Sequence, residues 1–298
     1  MADNLEWTAT EDVGAELESG VFPCTCHHFT PTDNNVCWRW QDEFEFVTFL
    51  EGDMHYFAAG QDFLAHKGDA AFVNVDVPRS ASSIDHNGCA HDSLIIDPVF
   101  LYGTRDSALW AKYLNVFERP SAPHAIFFRH DGDEWEREVA RLINEAWEAV
   151  SSERDFFEET VRHNLTMALL TISQRLKSGQ IHKGTSPRKK ILNRLKKMIS
   201  FIEKHYAEDI NLLEIAEAGD VSVREAQRVF QRVVNERPMS YLAVYRLTKA
   251  AELVRTTDYK MSEIAALCGF NSQSYFTKCF HSYYGMHPGA YRKVEQAK

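Results

Sequence analysis

Apolar positions recur along this chain with two different periods, and the change of period divides it. In residues 21–97 they come in short runs, at 44–50, 54–58, 70–75 and 91–96, separated by Glu51-Gly52-Asp53, Ala59-Gly60-Gln61 and Gly68-Asp69. Short runs at regular turn spacing predict a small antiparallel β-barrel or sandwich. Further on the spacing lengthens to that of a helix. Residues 133–150 and 154–176 read as two long amphipathic helices, the second with Phe157, Val161, Leu165, Ala168, Leu169, Ile172 and Leu176 along one side. Such a stripe serves either as intramolecular core or as a face that pairs two copies. Residues 177–188 lose the period and carry Gly179, Gly184 and Pro187 among polar residues, which reads as a linker.

Beyond the linker one pattern occurs twice. Leu212-Leu213-Glu214-Ile215-Ala216-Glu217-Ala218 is followed by Gly219-Asp220-Val221 and then by Ser222, which opens a helix carrying Ala226, Arg228 and Phe230. About fifty residues later Met261-Ser262-Glu263-Ile264-Ala265-Ala266-Leu267 precedes Cys268-Gly269-Phe270, and Ser272 opens a helix through Phe276, Lys278, Phe280 and Tyr283. Each copy reads as helix-turn-helix, with Gly expected at the left-handed corner and Ser as N-cap. Helical spacing gathers Val223, Ala226, Phe230 and Val233 on one side and leaves Arg224, Gln227 and Arg228 on the other. Arg can fork onto guanine O6 and N7, and Gln can bridge adenine N6 and N7, so that outer face suits a helix lying in a major groove. In the second copy Phe276, Phe280 and Tyr283 form the inner stripe, and Gln273, Ser274, Thr277 and Lys278 the outer one. Arg237, Arg246 and Lys249, on and near the connecting segment, are either phosphate contacts or solvated cations.

Charge supports the same division. Residues 187–298 hold 19 Lys and Arg against 12 Asp and Glu, which leaves 14 against 31 in residues 1–186, so the net −10 conceals a basic part behind an acidic one. No apolar run approaches the length of a membrane span, and Met1-Ala2-Asp3-Asn4 opens no signal-peptide core, so a cytoplasmic location is expected.

The repeated pattern resembles the DNA-binding domain of the AraC/XylS family of transcription regulators over residues 189–293. The likeness rests on Ile202-Glu203-Lys204-His205-Tyr206, Ile215-Ala216, Ser222, Arg228-Val229-Phe230, Pro238, Tyr241-Leu242 and Arg246-Leu247. It is densest at Ile264-Ala265, Gly269-Phe270, Ser274-Tyr275-Phe276, Lys278, Phe280, Gly285, Pro288 and Tyr291-Arg292. The resemblance implies seven helices, a long linker helix over residues 241–255, and base-facing positions at Arg224, Gln227 and Arg228 and at Gln273, Ser274 and Lys278. Asn235 stands where the family usually has Gly, and Asn tolerates the left-handed conformation. Ala226 replaces a usual Leu.

Phe44-Glu45-Phe46, Leu50-Glu51-Gly52, Gly68-Asp69 and Pro78 resemble the cupin-like sensor domain found in many AraC-type regulators. Catalytic cupins hold a metal with a His-x-His pair, a Glu and a further His. Here Trp38-Arg39-Trp40 stands at the pair and Arg79 at the later position, while His55, His66, His86 and His91 are scattered, so no metal and no cofactor is expected. Trp38, Trp40 and Arg79, with Phe46 and Tyr56 as walls, are the candidate ligand pocket, the tryptophans offering flat faces to a sugar and Arg79 a fork to an anion. The alternative is that both tryptophans are barrel core. Cys24-x-Cys26-His27-His28 is the one short thiol–imidazole cluster, and free thiols in a core are its simpler reading.

The expected whole is a multidomain α+β protein. Residues 20–100 form a cupin-like β-barrel sensor, 101–178 a helical segment that can pair subunits, 179–188 a linker, and 189–293 an all-α double helix-turn-helix. The expected activity is sequence-specific binding of double-stranded DNA to regulate transcription, under a small-molecule effector such as a sugar, with a second copy of the chain and RNA polymerase as further candidate partners. A metal-dependent cupin enzyme fused to a DNA-binding module is the alternative.

Overall fold

A computed structural model of the chain describes residues 16–17, 20–21, 24–29, 38–84, 89–119, 121–152, 155–181 and 189–296. One compact unit ends at residue 188 and a second begins at residue 189. Residues 182–188 of the expected linker, and His86, lie outside the described residues.

The first unit opens with the two-residue strands β1 (Glu16–Leu17) and β2 (Gly20–Val21), which pair with each other. The remaining strands are β3 (Cys24–Phe29), β4 (Phe44–Glu51), β5 (Met54–Ala58), β6 (Gln61–Ala65), β7 (Ala70–Val73), β8 (Arg79–Ser83), β9 (Ala90–Ile96) and β10 (Ala125–Phe128). They form an antiparallel five-stranded sheet in the order β10-β7-β4-β9-β3 and a three-stranded sheet in the order β6-β5-β8. Among the described strands the ladders do not close into the expected barrel. The two sheets instead share one core.

Alternation along β4 shows how. Phe44 and Phe46 point to the helical side, where they join Phe72, Leu94 and Ile96, while Val47 and Phe49 point between the sheets toward Met54, Tyr56, Ala58 and Ala81. Both faces of β4 are therefore covered, and its first six residues are all buried, Glu45 and Thr48 among them. The helical side is built from α1 (Pro98–Tyr102), a π-helical turn (Trp110–Leu114) that leads into α2 (Asn115–Glu118), α3 (Glu134–Ser151) and α4 (Phe157–Lys177). Val161, Leu165, Ala168, Leu169 and Ile172 of α4 are all buried in the same core as α3 and the sheet. Of the two readings of that stripe, the structure has it as core within one chain. Two further corrections concern strands. β8 is Arg-Ser-Ala-Ser-Ser and carries no apolar run, and β10 lies within the segment expected to be helical yet completes the edge of the larger sheet beside β7.

The second unit is all α among the described residues: α5 (Lys189–His205), α6 (Leu212–Ala218), α7 (Val223–Val233), α8 (Pro238–Thr256), α9 (Met261–Leu267), α10 (Gln273–Tyr284) and α11 (Pro288–Gln296). Its short helices are stabilised at their starts. Asn211 accepts from the amides of Leu213 and Glu214 while Glu214 accepts from the Asn211 amide, a reciprocal cap on α6. Ser222 and Ser272 accept from the Glu225 and Tyr275 amides and cap α7 and α10 as expected. No helix among the described residues is long and apolar enough to cross a membrane.

Because Leu165 is fully buried, truncating it to Ala should destabilise the first unit by about 2–5 kcal/mol, read by urea unfolding. A change within the error of the extrapolation would show that α4 is not part of that core.

Candidate nucleic-acid interface

The geometry of each helix-turn-helix begins at its corner. Val221 donates its amide to the Ala216 carbonyl, and Phe270 donates to Ala265 in the same way, so the two corners close on the same bond. The left-handed residue differs from expectation in the first copy. Asp220, not Gly219, takes φ 54°, matching Gly269 at φ 76°. Gly219 is needed for another reason, since a Cβ there would stand 2.7 Å from Cγ of Met198 on α5. Gly269 meets both constraints at once: its Cβ would lie 2.6 Å from the Tyr206 carbonyl and 2.9 Å from Nε of Arg246.

Past each corner the second helix is sided. On α7, Ala226, Val229, Phe230 and Val233 are buried, Val223 is half-buried, and Arg224, Gln227 and Arg228 are exposed. On α10, Phe276 and Phe280 are buried and Tyr283 is half-buried, while Gln273, Ser274 and Lys278 are exposed. α7 leaves at Asn235, with φ 55°, and α10 at Gly285, with φ 70°, so Asn serves where Gly would. The nineteen-residue α8 that follows α7 spans about 28 Å at 1.5 Å per residue.

Arg228 does not point freely to solvent. Its guanidinium donates to Glu225 at 2.9 Å, one turn earlier, and that bond holds the Glu225 carboxyl below the usual carboxylate range. Arg194 of α5 approaches the same carboxylate at 3.7 Å. A phosphate or base edge that takes Arg228 therefore competes with one half-buried carboxylate.

Arg246 is engaged differently from the expected phosphate contact. Its Nε donates to the Tyr206 carbonyl at 2.7 Å and its Nη2 to Glu208 at 2.6 Å, so α8 holds the turn between α5 and α6. Arg292 of α11 does the same for α8 and the segment after it, donating to Val254 at 3.0 Å and Tyr259 at 2.7 Å. Lys249 pairs with Glu252 at 3.1 Å on α8 itself.

The expected ligand residues in the first unit separate. Residues 38–40 make only a single bridge, Arg39 to Arg79, and not a strand that aims two tryptophans at one face. Trp38 is buried against Phe57 and Trp40 is half-buried. Phe46 packs on the helical side of β4, away from the space between the sheets. Arg79 and Tyr56 do come together there, with Arg39, Glu45 and His91. Glu45 pairs with Arg79, Gln41 accepts from it, and the Arg39 guanidinium lies 3.8 Å over the Phe29 ring. The space left among these groups is narrower than a water molecule. Sequence reasoning missed Glu45 and His91, whose inward positions follow from alternation once β4 and β9 are paired at Phe49–His91 and Glu45–Ile95.

The thiol–imidazole cluster is split by the same alternation. Cys24 and Cys26 face the helical core, where burial pushes both thiols up, while His27 stacks toward Phe29 on the opposite face. His28 pairs with Asp92, which also accepts from the Trp147 indole. Among the described residues no three His, Cys, Asp or Glu side chains converge as a metal site.

The helix-turn-helix domain family matches residues 215–294. Over 275 residues the chain is 26% identical to the HTH-type transcriptional regulator YdeC of Bacillus subtilis, covering 91% of this chain and 92% of that protein. It is 37% identical over 98 residues to YbfP of Bacillus subtilis, a third of each chain. It is 32% identical over 101 residues to the melibiose operon regulatory protein of Escherichia coli, 34% of this chain and 33% of that one. Two helix-turn-helix units on one connecting helix define a double helix-turn-helix domain. The chain carries one, similar to that of AraC-type regulators.

Two measurements test these assignments. Arg246→Ala should destabilise the protein by about 1.5–3 kcal/mol, the range for hydrogen bonds from a charged donor, without changing the salt dependence of DNA binding. A shallower salt dependence at unchanged stability would return Arg246 to the phosphate contacts. The second concerns pH. Burial pushes the His91 imidazole well below its usual 6.5, with Arg39 beside it adding to the effect. The unfolded chain then takes up a proton that the folded one refuses, so His91 costs stability as pH falls through about 6.5. His28 has the opposite sign, because Asp92 raises its pKa: its contribution is full below 6.5 and lost as pH rises through the raised value. Urea unfolding of His91→Gln beside the native protein isolates the first term. The variant should lose less stability between roughly pH 7.5 and 5.5, and equal losses would show that folded His91 takes up the proton.

Proposed function

We propose that this chain is a sequence-specific DNA-binding transcription regulator whose α7 and α10 enter successive major grooves of one duplex. The observation that carries this reading is the repeated sidedness. Each helix buries its aromatic stripe and presents a short polar set, Arg224, Gln227 and Arg228 on α7 and Gln273, Ser274 and Lys278 on α10. These side-chain types match the donor and acceptor patterns of base edges. The AraC-type likeness of the domain supports the reading, as does the regulatory role named for the relatives. Arg246 is left out of the contact set because its Nε and Nη2 donate to carbonyls inside the protein, and Lys249 is kept as a backbone contact.

Control by a small molecule belongs to the same proposal. The place for it is the polar group between the sheets, Arg79, Glu45, Tyr56 and His91, in place of the tryptophan pair. Since no free space is present there, an effector enters only by parting Glu45 from Arg79, and it regulates only if it binds one arrangement of the protein better than another. An effector with an anionic group suits Arg79; the stacking argument for a sugar loses its support, because Trp38 is buried.

Arg228→Ala should weaken binding to a selected duplex by about 1–3 kcal/mol and relax base choice at one position, read by competition titration against single-base variants. Equal losses on the selected and a scrambled duplex would remove Arg228 from the base-reading set.

A further inference from the structure

α5 carries more cations than its packing uses. Leu192, Leu195, Met198, Ile199 and Ile202 bury one side of it. On another side Lys196, Lys197, Ser200, Phe201 and Lys204 line an open groove of about 420 Å³ that ends at Ala218, the last residue of α6. The groove is continuous with the reading helix through printed contacts. Lys197 pairs with Asp220, the left-handed residue of the first corner, at 2.6 Å. Arg194, three residues earlier on α5, approaches Glu225, and Glu225 holds Arg228. Arg194, Lys197 and Lys204 are three and seven residues apart, so they follow one another along the helix. Between Arg194 and Lys204 the row extends about 15 Å at 1.5 Å per residue.

We propose that this row is a phosphate track: when α7 enters its groove, Lys197 and Lys204, with Lys196 beside them, contact the DNA backbone flanking the bases that α7 reads. The inference rests on the reading of α7 as a DNA-contacting helix. In the free protein Asp220 and Glu225 stand where phosphate oxygens come in the complex. Asp220 is exposed and Glu225 half-buried, and on the solvent side the attraction of each for Lys197 or Arg228 is screened by water. A backbone carrying one charge per 1.7 Å of duplex is the stronger competitor, because each phosphate neutralised also releases condensed counterions. The track adds affinity at every sequence and carries no base information.

The test is the salt dependence of binding by the full chain, followed by fluorescence anisotropy on a labelled duplex of arbitrary sequence and on one selected by the protein, from about 50 to 200 mM salt. Lys197→Ala with Lys204→Ala should make the slope of log affinity against log salt shallower by about 1.8 and weaken binding about 30-fold near 0.15 M, equally on both duplexes. Lys197→Arg with Lys204→Arg should restore the native slope. Lys67→Ala, an exposed lysine of the first unit, should leave it unchanged. If the double alanine variant keeps the native slope, the track is overturned while the reading of α7 stands. If the native chain shows no salt-dependent binding to either duplex, both fall together.

Discussion

The second unit depends on a tight backbone corner made twice. At Asp220 and Gly269 the chain turns through the left-handed region, and one amide, of Val221 or Phe270, reaches back to the carbonyl five residues earlier. That closure fixes how the second helix of each pair crosses the first. Everything functional in the unit follows from the crossing, because it decides which side of α7 and α10 packs and which meets solvent. Phe230 and Phe280 are fully buried at equivalent positions, fifty residues apart, and the polar sets lie opposite them. Gly269 shows how little freedom remains at the second corner. It sits against the Tyr206 carbonyl and the Arg246 side chain, so the second corner, the turn after α5 and the connecting helix are packed into one piece.

Much of this was legible because it is local. A capping Ser, an aromatic stripe and a repeat at fifty residues can be read along the chain without knowing what lies across space. The glycine at the first corner was misplaced because sequence shows a Gly without showing why it is there. Gly219 leaves space for Met198, and the left-handed φ falls to Asp220, a short polar residue that can adopt it. Arg246 was left open between two roles for a related reason. A cation on a connecting helix looks like a phosphate contact until its carbonyl partners, forty residues away in sequence, come into view.

The first unit was less legible, since its logic is pairwise across strands. β8 contains only Ser and Ala apart from Arg79, and it is held as a strand by its ladder to β5 rather than by its own propensity. β10 returns to the sheet after an interval of helix. The expected pocket failed at Phe46 for want of register, as a one-residue change of parity moves a side chain from one face of a sheet to the other. Arg79 and Tyr56 survived because their parity was right, and pairing then adds Glu45 and His91. The result is a buried Arg–Glu pair beside a neutral imidazole, an arrangement costly to disturb by removing one member and sensitive to whatever can replace the carboxylate.

The central claim is that two reading helices on one rigid unit address one face of a duplex. It is tested most directly by selecting bound fragments from random duplex DNA with the full chain at about 150 mM salt, where nonspecific attraction is weakened. The account predicts one enriched site with two short informative segments centred about 10 base pairs apart, one helical turn. Enrichment of a single segment, or recovery without sequence preference, would contradict it.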